Sequence, residues 1–321
     1  MQKTIGIPAL DLHDFTSGDS VKRQAFIQSL GKAYEDIGFV ALKNHGLSDA
    51  LVKDLYQQVE TFFSLPQSVK NKYNIPNLAG QRGYTPFGRE HAKGRNTGDL
   101  KEFWQFGQDV ENEDALRAEY PANVEVNELP EFNQTGIQLY KSFERSGAAL
   151  LSAIAEYLGL EKDYFNDKIH NGNSILRAIH YPPITSEPES AIRAEQHEDI
   201  NLITLLVGAS AEGLQLLNKK GEWQDVVAQP GTIVVNVGDM LQRLTNNKLR
   251  STTHRVVNPP REKWHTSRFS IPFFLHPRSE MRLDCLENCV DEKNPLAYEP
   301  ISAGEYLDER LIEIGLKKPA K

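Results

Sequence analysis

The sequence predicts a mixed α/β protein with a mainly β core: a helical N-terminal half packed on a C-terminal β sandwich or barrel. Three observations carry this expectation. Apolar residues recur at helical spacing across much of the first half of the chain. From about residue 174 the texture changes to short β-rich runs, "SILRAIHYP", "NLITLLV", "LQLLN", "EWQDVV", "TIVVNVG", "STTHRVV" and "RFSIPFFL". Turn residues at 218–221, at Pro230 with Gly231 and at Asn246 with Asn247 separate them, and many short strands at close spacing make a sandwich or a barrel.

Taken in order, "IPALDL" reads as a first short strand. Phe26, Ile27, Leu30, Tyr34 and Ile37 then mark a helix over residues 20–37. "GFVALKNHG" reads as a strand ended by Gly46, with His45 as a turn residue beside it. Ser48 is placed to cap a second helix carrying Leu51, Val52, Leu55, Val59, Phe62 and Phe63. Residues 75–135 are rich in Gly, Pro, Asn and charge, and long loops are expected there. Inside that stretch "PFGREHAKGRNTGDLKE" reads as a solvated loop, with lining a substrate entrance as the other reading. Tyr140, Phe143, Leu150, Ile154 and Tyr157 mark a third helix stopped near Gly159. After the β region, Ser302 and Glu305 form a capping box that starts a C-terminal helix. No internal repeat is visible. The expected divisions are residues 1–160, 170–280 and 281–321, forming one structural unit.

Bulk properties narrow the function classes. The chain has 321 residues, 39% of them apolar, and a net charge of −8. An acidic balance argues against a nucleic-acid surface, which needs clustered Lys and Arg. The basic "KKPAK" at the end reads as a solvated tail. No apolar run approaches the roughly 20 residues that cross a bilayer. Asp11 and Asp14 interrupt the N-terminal segment where a secretion signal needs an unbroken apolar stretch. Cys285 and Cys289, in "CLENC", lack two further ligands nearby and read as reduced thiols of a cytoplasmic protein. The expected partner is a small-molecule substrate, with neither nucleic acid nor membrane.

Chemistry concentrates in the β region. Read as one strand, "RAEQHEDINLITLL" turns His197 and Asp199 to one face and Glu198 to the other. With His254 in "STTHRVV", two histidines and a carboxylate make the facial triad typical of non-haem Fe(II) oxygenases. The bland alternative makes His197 a strand cap, Asp199 a turn residue and His254 a core histidine. Arg268 and Ser270 again share a strand face, and a guanidinium with a hydroxyl grips a carboxylate. That carboxylate is either a bound dicarboxylate or a structural Asp or Glu. Tyr181 offers a phenol to the same anion. Phe274 continues the alternation toward a pocket, with ordinary packing as its other reading. His180, on the opposite face from Tyr181, reads as structural, and Asp239 in "VGDM" as a turn residue.

Together these residues resemble the family of Fe(II)- and 2-oxoglutarate-dependent oxygenases related to isopenicillin N synthase. "IPALDL", "GFVALKNHG", "FFSLP" and "GDLKEFWQFG" are similar to its N-terminal landmarks. "LQLLNKKGEWQDVVAQPGTIVVNVGDMLQRLTNNKLRSTTHRVV" and "RFSIPFFLHP" are similar to its central and Arg-x-Ser segments. The resemblance implies a double-stranded β-helix, or jelly-roll, core. It implies iron on His197, Asp199 and His254, and 2-oxoglutarate on Arg268 and Ser270 with Tyr181 in support. It further implies O2 as oxidant, ascorbate as an accessory reductant, and hydroxylation, desaturation or ring formation on a small organic molecule with release of succinate and CO2. Two departures stand out: Ile179 where many members have Asn, and Glu198 where many have Thr. Glu198 is thereby a candidate for contact with the substrate. Other readings are an oxidase of the same family that uses no 2-oxoglutarate, a zinc hydrolase, and a non-catalytic metal-binding module.

Overall fold

The computed structural model describes residues 4–78, 80–90, 98–110, 116, 119–188, 191–208, 212–227, 229, 231–314 and 316–317. In chain order the first elements are β1 (Thr4–Ile5), β2 (Ala9–Asp11), α1 (Leu12–Thr16), α2 (Ser20–Asp36), β3 (Phe39–Lys43), α3 (Asp49–Ser64), α4 (Gln67–Lys70), β4 (Gly83–Thr85), β5 (Glu102–Gly107), α5 (Pro130–Tyr157) and α6 (Asn166–Ile169). The β region follows as β6 (Ile175–Tyr181), β7 (Ala194–His197), β8 (Ile203–Val207), β9 (Leu214–Leu217), β10 (Trp223–Val226), β11 (Ile233–Val237), α7 (Asp239–Leu244), β12 (His254–Val256) and β13 (Arg268–Leu275), before α8 (Ala303–Glu313).

Helix ends follow the polar residues beside them. Asp19 accepts the Val21 and Lys22 amides to open α2, and Ser48 accepts that of Leu51 to open α3. Pro130 opens α5, where its missing N–H costs nothing. Gly159, at φ 71°, closes that helix in the left-handed conformation, so that the Leu160 amide reaches back to the Ala155 carbonyl. Ser302 and Glu305 form the reciprocal capping box of α8.

The strands form two sheets. One runs β1-β10-β9-β12-β7; the other runs β2-β3-β11-β8-β13-β6-β5-β4. Two facing, largely antiparallel sheets of this kind are the jelly-roll core that the sequence led us to expect. Side-chain parity explains why the large sheet's strands read as nearly unbroken apolar runs. On β8, β11 and β13, Ile203, Leu205, Val235, Val237, Ile271 and Phe273 join the large core beneath the helices. Their alternate neighbours Thr204, Leu206, Val234, Asn236, Ser270 and Pro272 line a cavity on the other face.

Several expectations are corrected. Residues 75–135 are not all loop: β4 and β5 lie there, and every residue of β5 is buried. The N-terminal half supplies β2, β3, β4 and β5 to the large sheet as well as helices to its outer face. The "GFVALKNHG" strand stops at Lys43, because Asn44 turns at φ 48° before Gly46 is reached. Glu90, Asp99 and Lys101 of the loop read as solvated are buried. Residues 91–97 of that loop lie outside the described residues, as do Pro230 and residues 318–321 of the basic tail. Cys285 and Cys289 are both free. Among the described residues no helix is long and apolar enough to cross a membrane.

An aromatic cluster binds the helical layer to the sheet. Phe62 of α3 stacks on Phe132 of α5 at 5.2 Å and meets Trp104 of β5 edge-on at 5.0 Å. All three are fully buried. Phe62→Ala is expected to cost about 3–5 kcal/mol, the usual range for deleting a buried ring, measured as a lowered urea midpoint with an unchanged slope.

Candidate functional site

The run "RAEQHEDINLITLL" is not one strand. It splits into β7 in the small sheet and β8 in the large one, and residues 198–202 cross between them. His197 therefore ends β7, and Asp199 lies in the crossing. Their shared direction comes from that crossing and not from strand alternation. Two backbone bonds fix it: the Asp239 amide donates to the Asp199 carbonyl at 2.7 Å, and the Gly238 amide to that of Leu202 at 2.9 Å. A Cβ on Gly238 would lie 2.2 Å from the Asn201 carbonyl oxygen, so only glycine admits this approach.

His254, on β12, is the direct ladder partner of His197. The two rings stand 4.4 Å apart, and Phe39 meets His254 edge-on. Each imidazole uses Nδ1 on the carbonyl two residues earlier, His197 on Glu195 at 2.6 Å and His254 on Thr252 at 3.1 Å. That assigns the proton to Nδ1 and leaves both Nε2 lone pairs free. They lie 3.9 and 3.7 Å from Asp199 Oδ1. The other oxygen, Oδ2, accepts from Thr204 Oγ1 at 2.6 Å and Asn236 Nδ2 at 2.8 Å. One ligand atom from each of the three residues falls within 4.8 Å of the others. Burial pushes the Asp199 carboxyl up, but the two imidazoles and the two donors outweigh it and keep it below the ordinary value. Burial, then the facing His254, lowers His197 to about 4. Three convergent donors fit a divalent transition metal, and one side of them opens on the cavity.

The cavity, of about 440 Å³, lies between the sheets. Arg268, Ser270 and Phe274 of β13 line it, as do Tyr181 of β6 and Glu198 of the crossing. Arg268 and Ser270 are buried. The Arg268 guanidinium sits 4.9 Å from the Tyr181 ring centre, so the tyrosine offers this cation its face. Glu198 accepts from Thr253 at 2.7 Å while facing the cavity. His180 lies outside it, between Glu102 and Ser267. Nδ1 of His45 accepts the Leu47 amide beside its turn. Asp239, expected in a turn, instead begins α7, lines the cavity and accepts from Tyr306.

One wall comes partly from the stretch whose other reading is a substrate entrance, although the sequence singles out none of its residues. Lys101 binds Glu90 at 2.7 Å and Asp99 at 2.8 Å, and Arg177 spans Glu90 at 3.1 Å and Gln105 at 2.7 Å. All five residues line the cavity. Burial raises the Glu90 carboxyl, but Arg177 and Lys101 bring it down to about 2. Arg177 shares parity with Tyr181 in "SILRAIHY", a signal that alternation offered. Glu90, Asp99 and Lys101 gave none, because charged residues in a Gly-rich stretch look the same solvated or buried.

Two family descriptions match the chain: "non-haem dioxygenase in morphine synthesis N-terminal" over residues 7–131, and "2OG-Fe(II) oxygenase superfamily" over residues 172–277. A 2OG-Fe(II) oxygenase family protein from Caulobacter crescentus is 43% identical, with TM-score 0.87, over 97% of this chain and 100% of that one. A full-length Neurospora crassa protein, solved in complex with alpha-KG and thymine, is 29% identical, with TM-score 0.83, over 95% and 96%. Proline hydroxylase buaE of Petromyces alliaceus is 32% identical over 96% of this chain and 99% of its own.

Two outcomes are expected. Asn236→Ala removes one of the two donors that hold Asp199 Oδ2 and should weaken Fe(II) binding about ten- to a hundredfold, the usual effect of losing a partner of a metal ligand, in an anaerobic metal titration. Burial chiefly, helped by the Glu198 and Asp199 carboxylates, raises Asp239 to about 6 from an ordinary 3.8. Its folded-state value exceeds the unfolded one, so its contribution to stability is full below the unfolded value and is lost as pH rises through about 6. Asp239→Asn should remove this loss, and the melting temperature of the metal-free variant should gain on the native protein between pH 4 and 7.

Proposed function

Because the chain belongs to the 2-oxoglutarate- and Fe(II)-dependent oxygenase superfamily, we propose that His197, Asp199 and His254 hold its iron and that Arg268 and Ser270 hold the far carboxylate of 2-oxoglutarate. The protein is a 2-oxoglutarate-dependent dioxygenase acting on a small organic molecule. The observation that carries the residue assignment is the partition of donor atoms. Every outward atom of the triad is occupied by the protein, while both Nε2 atoms lie 3.9 and 3.7 Å from Asp199 Oδ1 and one ligand atom from each residue falls within 4.8 Å of the others.

Iron, when bound with 2-oxoglutarate and O2, would supply the oxidising power of a reaction in which 2-oxoglutarate is converted to succinate and CO2. The chain's own residues position and exclude. The Asp199 carboxylate would balance one of the metal's two positive charges, and His197 and His254 would each offer Nε2. Arg268 presents a planar fork suited to a carboxylate, with the Tyr181 ring against it and the Ser270 hydroxyl on the same strand face. Tyr181 sets its ring against the cation, and its phenol is assigned as a further donor to the same anion. Ile179, Leu206 and Phe274 give the cavity apolar surface that excludes water. Glu198 and Phe274, both on the cavity, are assigned to the substrate. We assign hydroxylation as the outcome, the reaction for which the relative from Petromyces alliaceus is named. Two free thiols fit the reducing cytoplasm.

Two substitutions test the assignment. Asp199→Ala should abolish turnover and iron binding while leaving the circular dichroism of the metal-free protein nearly unchanged, with melting lowered only by the loss of the Thr204 and Asn236 hydrogen bonds. Arg268→Gln keeps polarity but loses the cation and the fork. It should weaken 2-oxoglutarate by about 2–4 kcal/mol, the cost of truncating one partner of a buried charged pair. An unchanged 2-oxoglutarate requirement in this variant would refute the assignment of Arg268.

A further inference from the structure

A second guanidinium lies near the first. Arg193 precedes β7, is 1% exposed, and does not itself line the cavity. Its NH2 donates to the Thr266 carbonyl at 3.0 Å, two residues before Arg268. Its Nε has no hydrogen-bond partner, and no carboxylate among the described residues pairs with it. Its charge lies 6.0 Å from the centre of the Tyr181 ring, the ring that Arg268 approaches at 4.9 Å. Burial first, then repulsion from Arg268, lowers its pKa to about 10, which leaves it charged at neutral pH. A buried cation with no anion of its own is costly, and a like charge nearby adds to that cost.

We propose that Arg193 is a positioning residue for the co-substrate: it acts through Arg268 and Tyr181 to make this end of the cavity selective for a second carboxylate. The inference rests on placing the far carboxylate of 2-oxoglutarate at Arg268. A bound dianion relieves the repulsion between the two guanidiniums, so binding recovers what the empty site loses. The hydrogen bond to Thr266 adds a geometric role. It fastens the start of β7, which ends in His197, to the entry of β13, which begins with Arg268. One side chain thereby ties the strand of a metal ligand to the strand of the anion ligand, and a co-substrate held at both ends needs that spacing fixed.

The test compares 2-oxoglutarate with 2-oxopentanoate, which keeps the chelating keto acid but ends in a methyl group. Dissociation constants are measured by calorimetry on anaerobic Fe(II)-loaded protein, native, Arg193→Gln, Arg193→Lys and Arg268→Gln. Arg193→Gln retains a donor for the Thr266 carbonyl but no charge. It should weaken 2-oxoglutarate about tenfold, as expected for losing one partly screened charge near the site, and leave 2-oxopentanoate and Fe(II) affinity unchanged. Arg193→Lys should stay within about threefold of native for both ligands, because the charge remains. Equal weakening of both ligands in Arg193→Gln would mean a merely structural role and overturn the proposal. So would undiminished preference for 2-oxoglutarate in Arg193→Gln, or a tenfold loss in Arg193→Lys. If Arg268→Gln alone destroys the preference, only the Arg193 inference fails. If Arg268→Gln leaves the preference intact, the placement at Arg268 fails first.

Discussion

The carboxylate of Asp199 is the point on which the two sheets agree. It leaves the small sheet with β7, and its outer oxygen is gripped by Thr204 and Asn236 of the large one. The connection that carries it must also pass close to Gly238, where no Cβ fits. A buried carboxylate has few stable orientations, and here two donors select one. Everything else at the site is arranged around the oxygen left over. His197 and His254 face it across a single ladder pair, and the cavity opens beyond it.

Parity does the same service on a larger scale. On β5, β6, β8, β11 and β13 of the eight-stranded sheet, one set of side chains faces the helices and the other the cavity, so packing and chemistry occupy the same strand without competing. On β5, Trp104 and Phe106 join the core under the helices while Gln105 faces the cavity. Glu102 points away from the cavity as well, and there it gathers Lys70, Tyr84 and His180 into a buried hub. Fixing β5 from behind in this way holds the charged wall of Glu90, Lys101 and Arg177 in front.

How much of this is legible in the sequence depends on whether the signal is local. Helix caps at Ser48 and Ser302 and the alternation of Arg268, Ser270 and Phe274 are local, and each stands where the sequence puts it. His197, Asp199 and His254 do come together, but not by the alternation that suggests it. The chain crosses between sheets where a continuous strand is expected, and period-two logic does not hold through such a crossing. The strand character of residues 102–107 is hidden because Lys101 and Glu102 read as surface, although both are buried in ion pairs. Arg193 is invisible for a related reason. An arginine in a short polar run looks exposed until the tertiary structure places Thr266 and Tyr181 against it. Charges neutralised or strained by distant parts of the chain leave no periodic trace.

The pairing of β3 with β11 sets an order on how the chain can be completed during synthesis. Residues 39–42 take their ladder partners from residues 233–236, and β2 then adds to β3. When the ribosome has produced the apolar "FVAL" segment, its principal partner has yet to be made. Contacts so remote in sequence are slow to form, and unpaired strands are the surfaces through which chains aggregate. On one flank, α2 is available at once to shield β3 with Phe26, Leu30 and Tyr34. The early helices thus shelter an unfinished sheet edge before they serve as its permanent backing.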